Sequence, residues 1–391
     1  MKAFRNCLAL ILFITASGSS LQAQTIKTDV LVVGEGNAAF AAGIQSAVSN
    51  AKATVLLKGS DFKLSPDERN NATGIATDLS SRLKRDSAST GTAAIARKWT
   101  DSLAQLTVVR QMQYKLSRSG SGWMAKTTDG KTYKARVLVN ASGEPTPGTR
   151  NGTKKSFSPY QLKQPDYRAS VAAGDWLPSL NNNNSILHFS MLLTPQEENY
   201  VDLSGLESSL GAGQAAGALA AYAAFFKTKT STASFREIQG ELLNFKQALI
   251  PLADVSLADS NWRALQMMSL SGVMKPVLTE KGAYFNPQLE ASLQEIAEPL
   301  IPYYDKASIW FEDHPKMQAD LDHTISLICF LSSRSVAQVK KEVEKKWTTS
   351  YRLGAFPKER KVLTRRELAV LLNDYLGLFQ VRTDLNGRII K

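Results

Sequence analysis

The first clear pattern of hydrophobic and polar positions lies between residues 29 and 57. Residues 29–33, apolar after the first position, predict a buried strand, and the small residues of 37–50 predict a helix. A second apolar run at 53–57 predicts another strand. Strand, helix and strand at this spacing predict a βαβ unit with a parallel pair of strands.

Three further strand-like segments follow in the middle of the chain, at residues 106–114, 122–127 and 132–140. Asp129-Gly130 separates the last two and is a typical hairpin turn, so we expect a short β-meander. Residues 65–106 are polar and only patchily helical in pattern.

After the meander and a loop-rich stretch at 144–185, the pattern becomes mainly helical. Residues 211–226 predict a helix of unusually small side chains, and residues 235–249 predict an amphipathic helix that ends before Pro251. Beyond Pro251 we expect helical pieces separated by turns. We therefore predict an α/β domain at residues 24–250 and a mostly α-helical C-terminal domain at residues 251–391.

The turn after the first predicted strand has the composition of a dinucleotide-binding turn. It is a G-x-G-x-x-A motif, formed by Gly34, Glu35, Gly36, Asn37, Ala38 and Ala39. Gly34 permits a tight turn, Gly36 lets a pyrophosphate approach the start of the helix, and Ala39 allows close packing on the strand. The flanking strands supply the context that the motif needs, so we predict a Rossmann-like fold. The alternative is a structural glycine turn in another α/β fold.

The end of the second predicted strand departs from this pattern. An Asp or Glu usually stands there, because its carboxylate accepts hydrogen bonds from the ribose hydroxyls. This chain has Lys58, which cannot accept them, so Lys58 either faces a 2′-phosphate or is solvated. Asp61 could substitute only if its loop folds back. Lys58 therefore argues against cofactor binding.

The first 23 residues have the pattern of a secretory signal peptide. Lys2 and Arg5 form a positive start, residues 7–16 are apolar except for one threonine, and Ala23 is a small residue suited to cleavage. The apolar run is shorter than the ~20 residues of a membrane-spanning helix. We expect a periplasmic or secreted protein without an integral membrane segment; the alternative is a buried N-terminal strand or helix.

Net charge and cysteine content bear on the partners of the protein and on the role of its cysteine. The formal net charge is +12, and Lys2 and Arg5 supply two of these charges. The basic residues are scattered, and the densest group, at 340–346, alternates with glutamates on a predicted helix, so we expect no nucleic-acid partner. Cys329 is the one cysteine after residue 23, and it lies in an apolar run typical of a core position.

Three segments share their order and character with one family of proteins. They are the turn at Gly34, the strand ending in Ala141, Ser142 and Gly143, and the helix starting with Gly211, Gly213 and Gln214. Together they resemble the FAD-dependent oxidoreductases with a glutathione-reductase-like FAD-binding fold, in particular exported bacterial members. The resemblance implies an FAD cofactor contacted by all three segments. For the small-residue helix, tight packing without any ligand is the alternative.

The resemblance also implies a large substrate domain that this chain lacks. Only 67 residues separate Gly143 from Gly211, so the substrate pocket would be reduced, and the small-molecule substrate is not identified. His188 lies where such enzymes place substrate-facing residues, which makes proton transfer by His188 a hypothesis. His314 and His323 fit structural roles, and no histidine has a metal-ligand spacing. Catalytic residues are therefore unknown, and we expect no metal site.

The C-terminal part resembles S-layer-homology repeats in places. The matching stretches are 252–255, 261–266, 272–273, 285–287 and 363–369. The resemblance implies contact with the cell envelope; the alternative is a helical packing domain with Trp262, Leu265 and Leu270 in its core.

Two functional hypotheses follow from these patterns. The first is an FAD-dependent oxidoreductase-like protein of the cell envelope, favoured by the Gly34 turn and the small-residue helix. The second is a degenerate, non-catalytic relative that acts as an envelope binding or interaction module, favoured by Lys58 and the shortened middle region. Whether the chain is an enzyme is left open by the sequence.

Export predicts a mature N-terminus at Gln24, give or take a few residues, because cleavage would follow Ala23. N-terminal sequencing of the protein recovered outside the cytoplasm checks this. A recovered chain that still begins at Met1 would contradict the prediction.

Overall fold

The structure is a computed structural model that describes residues 24–65, 73–86, 91–147, 149, 154–174, 184–357 and 361–390. The predicted signal peptide lies outside these residues. The predicted fold class is confirmed: a Rossmann-like α/β part with a β-meander is followed by a mostly helical C-terminal part. Within the described residues, no helix combines the length and the hydropathy needed to cross a membrane.

Within the part of the chain that the structure describes, the strands form four sheets. In chain order the strands are β1 (Thr25–Lys27), β2 (Val30–Val33), β3 (Ala53–Leu56), β4 (Leu106–Val109), β5 (Tyr114–Ser119), β6 (Gly122–Thr127), β7 (Thr132–Ala135), β8 (Val137–Asn140), β9 (Ser158–Pro159), β10 (Ser170–Ala173), β11 (Ser185–His188), β12 (Tyr200–Asp202), β13 (Val277–Thr279) and β14 (Gly282–Tyr284).

The central sheet has five parallel strands in the order β12-β8-β2-β3-β4. Strands β2, β3 and β8 are buried at every position, because helices cover one face and a second sheet covers the other. Burial on both faces explains why these strands are uninterrupted apolar runs in the sequence. The order places β2 between β8 and β3, so the turns after β2 and β8 lie side by side.

The second sheet has the order β1-β7-β6-β5, with β5, β6 and β7 as an antiparallel meander. Two predicted strands have different limits in the structure. Residues 106–114 are not one meander strand, because β4 ends at Val109 in the central sheet and β5 begins at Tyr114. Residues 132–140 divide in the same way, since β7 belongs to the meander and β8 to the central sheet. Trp123 and Tyr200 pack between the two sheets, with ring centroids 5.1 Å apart.

The helices are α1 (Asn37–Val48), α2 (Ile75–Asp86), α3 (Thr92–Asp101), α4 (Leu210–Phe225), α5 (Phe235–Asn244), α6 (Trp262–Ser271), α7 (Leu293–Leu300), α8 (Ala307–Asp313), α9 (Leu321–Ser332), α10 (Val336–Thr349) and α11 (Arg365–Leu376). Helix α5 is shorter than the predicted 235–249, because Lys246 adopts a left-handed conformation with φ of 59°. The backbone N–H groups of Leu249 and Ile250 then bond to the Gln266 side chain instead of continuing the helix.

Helices α1 and α4 pack at unusually short range because both are built from small residues. A Cβ at Gly213 would lie 2.3 Å from the Ala38 carbonyl oxygen, and one at Gly217 would lie 2.5 Å from that of Ala42. Any side chain at these two positions would force the helices apart. This close approach brings the start of α4 beside the start of α1.

The C-terminal helices share one hydrophobic core with the Rossmann-like part. The Gln266 side chain on α6 accepts a hydrogen bond from the Leu249 N–H and donates one to the Ile250 carbonyl oxygen. Arg168 donates to the carbonyl oxygens of Ser271 and Gly387. Helix α11 begins with a capping box formed by Thr364 and Glu367. Separation of residues 251–391 as an independent domain stays a prediction.

The packing of α4 on α1 predicts opposite effects of alanine at two neighbouring glycines. Gly213→Ala should lower the free energy of unfolding by about 1–3 kcal/mol, because its methyl group would collide with backbone. Gly211→Ala is the matched control on the same helix, since a Cβ there meets only ordinary contacts at 3.4 Å or more. Its effect should stay within about 1 kcal/mol and be favourable through helix propensity. Urea unfolding of both variants measures the difference, and equal losses would contradict the packing argument.

Candidate functional site

The predicted cofactor-binding turn lies at the carboxyl ends of β2 and β8. Gly34 has φ of 134°, and a Cβ there would lie 2.4 Å from the Ala141 carbonyl oxygen. Glycine is therefore required at position 34 for two reasons, the backbone conformation and the contact with Ala141. The structure thus brings the first two predicted segments, Gly34–Ala39 and Ala141–Gly143, into direct contact.

The N-terminus of α1 is occupied by the chain's own backbone. Gly36 is the N-cap residue, and the Ala38 N–H donates a hydrogen bond of 3.0 Å to the Glu207 carbonyl oxygen. A Cβ at Gly36 would lie 2.8 Å from that same oxygen. The space beside Gly36, which a pyrophosphate would need, therefore contains residue 207.

The Asn37 side chain fixes two further segments at this point. Its Nδ2 donates to the carbonyl oxygens of Ser65, at 2.7 Å, and Ser208, at 2.8 Å, and its Oδ1 accepts from the Ser65 N–H at 3.0 Å. Asn37 is buried, so these bonds satisfy an amide that would otherwise lack partners. The start of α1 is thereby enclosed by residues 65 and 207–208.

Glu35 connects the glycine turn to the loop after β3. Its carboxylate accepts a hydrogen bond from the Gly59 N–H and pairs with Lys63, whose Nζ lies 2.6 Å away. The hydrogen bond from Lys63 is the main cause of a lowered Glu35 pKa, with Gly59 and the charge of Lys58 adding to it against the effect of burial. The Glu35 side chain therefore joins the glycine turn to the loop after β3 through a hydrogen bond and an ion pair.

Lys58, at the expected ribose position, forms an ion pair with Glu144, whose carboxylate lies 2.6 Å from the Lys58 ammonium. Burial, followed by the charges of Glu144 and Glu35, raises the pKa of the adjacent Tyr114 to about 12. Asp61 does not fold back as an acceptor. It binds Arg97 at 2.6 Å, and that bond is the main cause of its lowered pKa.

The segment after β8 is held by hydrogen bonds of its own. The Ser142 hydroxyl donates to Asn140 Oδ1 at 2.7 Å, and the Glu144 N–H donates to the Ser142 hydroxyl at 3.2 Å. Gly143 has φ of 71°, and a Cβ there would lie 3.0 Å from a carboxylate oxygen of Glu207. Glu207 therefore faces both predicted glycine turns, with its carbonyl at Gly36 and its carboxylate at Gly143.

The third predicted segment, at the start of α4, makes contacts within the protein. Gly211 lies against Ala172 and Gln247, and Gly213 lies against Ala38. Gln214 is fully buried, accepts from the Ile75 N–H at 3.0 Å and donates to Gln45 at 2.9 Å. These residues occupy the expected place beside α1, and a role in holding flavin stays a prediction.

The residues present do not fit the pyrophosphate of FAD in this conformation. The Ala38 N–H already has an acceptor, residue 207 fills the space at Gly36, and the second strand ends in the Lys58–Glu144 pair. A dinucleotide would have to break the hydrogen bond of the Ala38 N–H, displace residue 207 and separate Lys58 from Glu144.

The histidines do not assemble a catalytic group. The His188 ring lies 3.8 Å from Asp166, His314 stacks on Trp310, and His323 bonds to the helix-capping Asp320. Among the described residues, no group of three or more His, Cys, Asp or Glu side chains could hold a metal ion. Cys329 is buried.

Sequence reasoning missed Glu207 and Glu144, the residues that contact the glycine turns and Lys58. Neither belongs to a periodic pattern or a motif, and each lies far along the chain from its partner. The one available signal was the unusual Lys58, which implied an acidic partner without indicating where it lay.

Comparison with known proteins gives limited matches. No protein-family model and no curated protein matches the chain. The structure is similar to thioredoxin reductase from T. acidophilum, at 17% identity over 36% of this chain and 40% of that one, with a TM-score of 0.20. It is also similar to bacillithiol disulfide reductase from Staphylococcus aureus, at 14% identity over 30% and 38% of the chains, with a TM-score of 0.21.

A third similar structure is L-proline dehydrogenase from P. horikoshii, at 12% identity over 31% of this chain and 23% of that one, with a TM-score of 0.22. In all three cases the chain spans less than half the length of the similar protein. The fold assignment stands on the strand order of the structure itself.

The ion pair of Glu35 predicts a pH-dependent loss of stability. Because the folded-state pKa of Glu35 is lowered, its contribution is present above the ordinary value of 4.5 and is lost as the pH falls through the lowered value. Glu35→Gln should cost up to about 1 kcal/mol at pH 7, discounted because Lys63 is exposed to solvent, and less at pH 3, which lies below the ordinary value of 4.5. Urea unfolding at both pH values tests this, with Lys63→Gln as the matched variant. An undiminished loss at pH 3 would refute the ionic explanation.

Proposed function

We propose that this chain is a non-catalytic relative of the FAD-dependent oxidoreductases that serves as a binding or interaction module of the cell envelope. The observation that carries the proposal is the hydrogen bond from the Ala38 N–H to the Glu207 carbonyl oxygen. This contact uses the helix N-terminus that a dinucleotide fold reserves for phosphate.

The loop that carries Glu207 is firmly attached at both ends. The Leu203 N–H donates to Asn140 at 2.8 Å, and Leu203 and Leu206 are buried. At the other end, the Ser209 hydroxyl caps α4 by accepting from the Ala212 N–H at 3.1 Å. Moving residue 207 away from Gly36 would therefore expose apolar side chains and break a helix cap, which costs about 1 kcal/mol for the cap alone.

The charges at the end of β3 also disfavour a dinucleotide. Lys58 and Glu144 neutralise each other, so the ribose position has no free carboxylate. Lys58 would be available to a 2′-phosphate only after Glu144 had moved. The two observations concern the pyrophosphate and ribose positions of the dinucleotide site and support the same proposal.

A cavity of about 520 Å³ offers a place for a small-molecule partner. It is lined by the Rossmann-like part, through Ala173 and Ala248, and by the helical part, through Asp254, Trp262 and Gln266. Its size falls in the range of small-molecule sites. Export, as part of the proposal, rests on the signal-peptide pattern of residues 1–23, and envelope contact through residues 251–391 rests on the resemblance to S-layer-homology repeats.

The second candidate function is an FAD-dependent oxidoreductase with an unidentified substrate. It is favoured by the geometry of the Gly34 turn and by the position of α4 against α1. It requires residue 207 to leave the start of α1, so binding of FAD decides between the candidates.

FAD and NADP titrations of the purified full chain should show no binding, because the pyrophosphate space is filled. Flavin fluorescence quenching and thermal unfolding with excess ligand provide the measurements, with an apo-flavoprotein of known affinity as the positive control. Lys58→Glu with Glu144→Gln supplies a ribose acceptor without setting two carboxylates side by side, and it should remain unable to bind.

A wild-type dissociation constant in the low micromolar range would overturn the proposal. Tighter binding by the double variant, by about 1.5–3 kcal/mol for a restored charged hydrogen bond, would then support the oxidoreductase candidate. If the wild type binds FAD, Gly36→Val provides a further test of the site. The folding of this variant is checked by circular dichroism, because the valine side chain would also contact residue 207.

A further inference from the structure

A second cavity, of about 650 Å³, contains a lysine with unusual surroundings. We call it the Lys155 cavity. Its walls come from loops around β12 and after α4, and it is lined by Lys154, Lys155, Ser190, Met191, Leu193, Thr194, Pro195, Gln196, Glu197, Glu198, Asp202, Thr230 and Ser231. None of these residues belongs to the glycine turns.

The Lys155 amine is held by backbone carbonyl groups rather than by a carboxylate. Its Nζ donates to the carbonyl oxygens of Asp202, at 2.7 Å, and Leu193, at 3.4 Å. Among the described residues, no carboxylate forms an ion pair with it. Burial lowers the pKa of Lys155 to about 8, against a smaller opposing effect of the Asp202 charge.

The acidic side chains in the cavity wall already have partners. Glu197 pairs with Arg118, Glu198 accepts from the Ser231 hydroxyl at 2.6 Å, and Asp202 Oδ1 accepts from the Ser204 hydroxyl at 2.9 Å. They are therefore not arranged to neutralise Lys155. The remaining wall is largely apolar, through Met191, Leu193 and Pro195.

A neutral amine suits this geometry. An uncharged lysine has two N–H donors and one lone pair, and two carbonyl groups are present to accept the two donors. The lone pair is then left for a partner in the cavity. In addition, Thr194 lines the cavity, and its hydroxyl is buried and has no hydrogen-bond partner among the described residues.

We propose that Lys155 is a nucleophilic amine that binds small apolar aldehydes as an imine, with the Thr194 hydroxyl donating a hydrogen bond to the aldehyde oxygen until that oxygen leaves as water. The nitrogen lone pair forms the new C–N bond, and the C=O π pair moves to oxygen, which takes a proton from nitrogen. The resulting carbinolamine loses its hydroxyl and the second nitrogen proton as water and leaves a C=N bond. Met191, Leu193 and Pro195 contact the apolar substituent.

The site is separate from the glycine turns, and the proposal does not depend on whether FAD binds. The proposal adds aldehydes, bound covalently at Lys155, to the ligands expected of this protein. A failed aldehyde experiment would leave the proposed non-catalytic role untouched, and a positive FAD titration would not by itself exclude a reactive lysine.

The test is labelling of the native full chain with butanal and cyanoborohydride, which reduces the imine to a stable secondary amine. At pH 7.5, roughly a quarter of Lys155 is uncharged at a pKa of about 8, against about one in a thousand of an ordinary lysine. We expect Lys155 to be labelled at least about tenfold faster than the other lysines, measured by peptide mass mapping. Its rate should rise with a midpoint near pH 8.

Variants and unfolding provide the controls. Lys155→Arg should abolish the fast phase, whereas Lys163→Arg, at an exposed lysine outside the cavity lining, should leave it intact. Thr194→Val should slow labelling severalfold without moving the pH midpoint, because it removes only the hydroxyl. In urea the preference for Lys155 should disappear. Labelling of native Lys155 no faster than that of Lys154, or a midpoint near that of free lysine, would overturn the proposal.

Discussion

The close approach of α4 to α1 is the constraint on which the rest of the site depends. Gly213 and Gly217 allow backbone to meet backbone, and the N-terminus of α4 therefore lies beside that of α1. The loop leading into α4 passes the glycine turn at this point, and its Glu207 carbonyl oxygen accepts a hydrogen bond from the Ala38 N–H. Helix packing thus brings this loop beside the dinucleotide turn, and residue 207 of the loop fills the space at Gly36.

The sequence predicted the Rossmann-like sheet because its strands carry a local signal. Apolar runs at β2, β3 and β8 identify strands buried on both faces, and the Gly34 turn marks the junction with α1. The limits of β4 and β5 could not be predicted, since residues 106–119 favour strands throughout and only tertiary pairing divides them between two sheets.

The candidate site was predictable only in part, because only some of its residues carry a local signal in the sequence. Gly34, Ala141 and Gly213 were recognisable because each must tolerate a close backbone contact, which restricts the residue type locally. Glu144, Glu207 and Lys155 act through partners distant in sequence, and nothing in their immediate neighbours restricts them. A motif can therefore indicate where a ligand would lie without indicating whether the chain itself fills the space.

One segment connects the filled site with the Lys155 cavity. In residues 202–207, the Asp202 carbonyl accepts from the Lys155 amine, the Ser204 carbonyl accepts from the Lys155 N–H at 2.9 Å, and the Glu207 carbonyl lies at the start of α1. Gly205, with φ of 89°, is required because a Cβ there would lie 2.6 Å from the Lys155 carbonyl oxygen. Asp202 is fixed by the pairing of β12 with β8, whereas Glu207 lies in the loop that follows. A movement confined to residue 207 would therefore leave the Asp202 carbonyl, which holds the amine, in place.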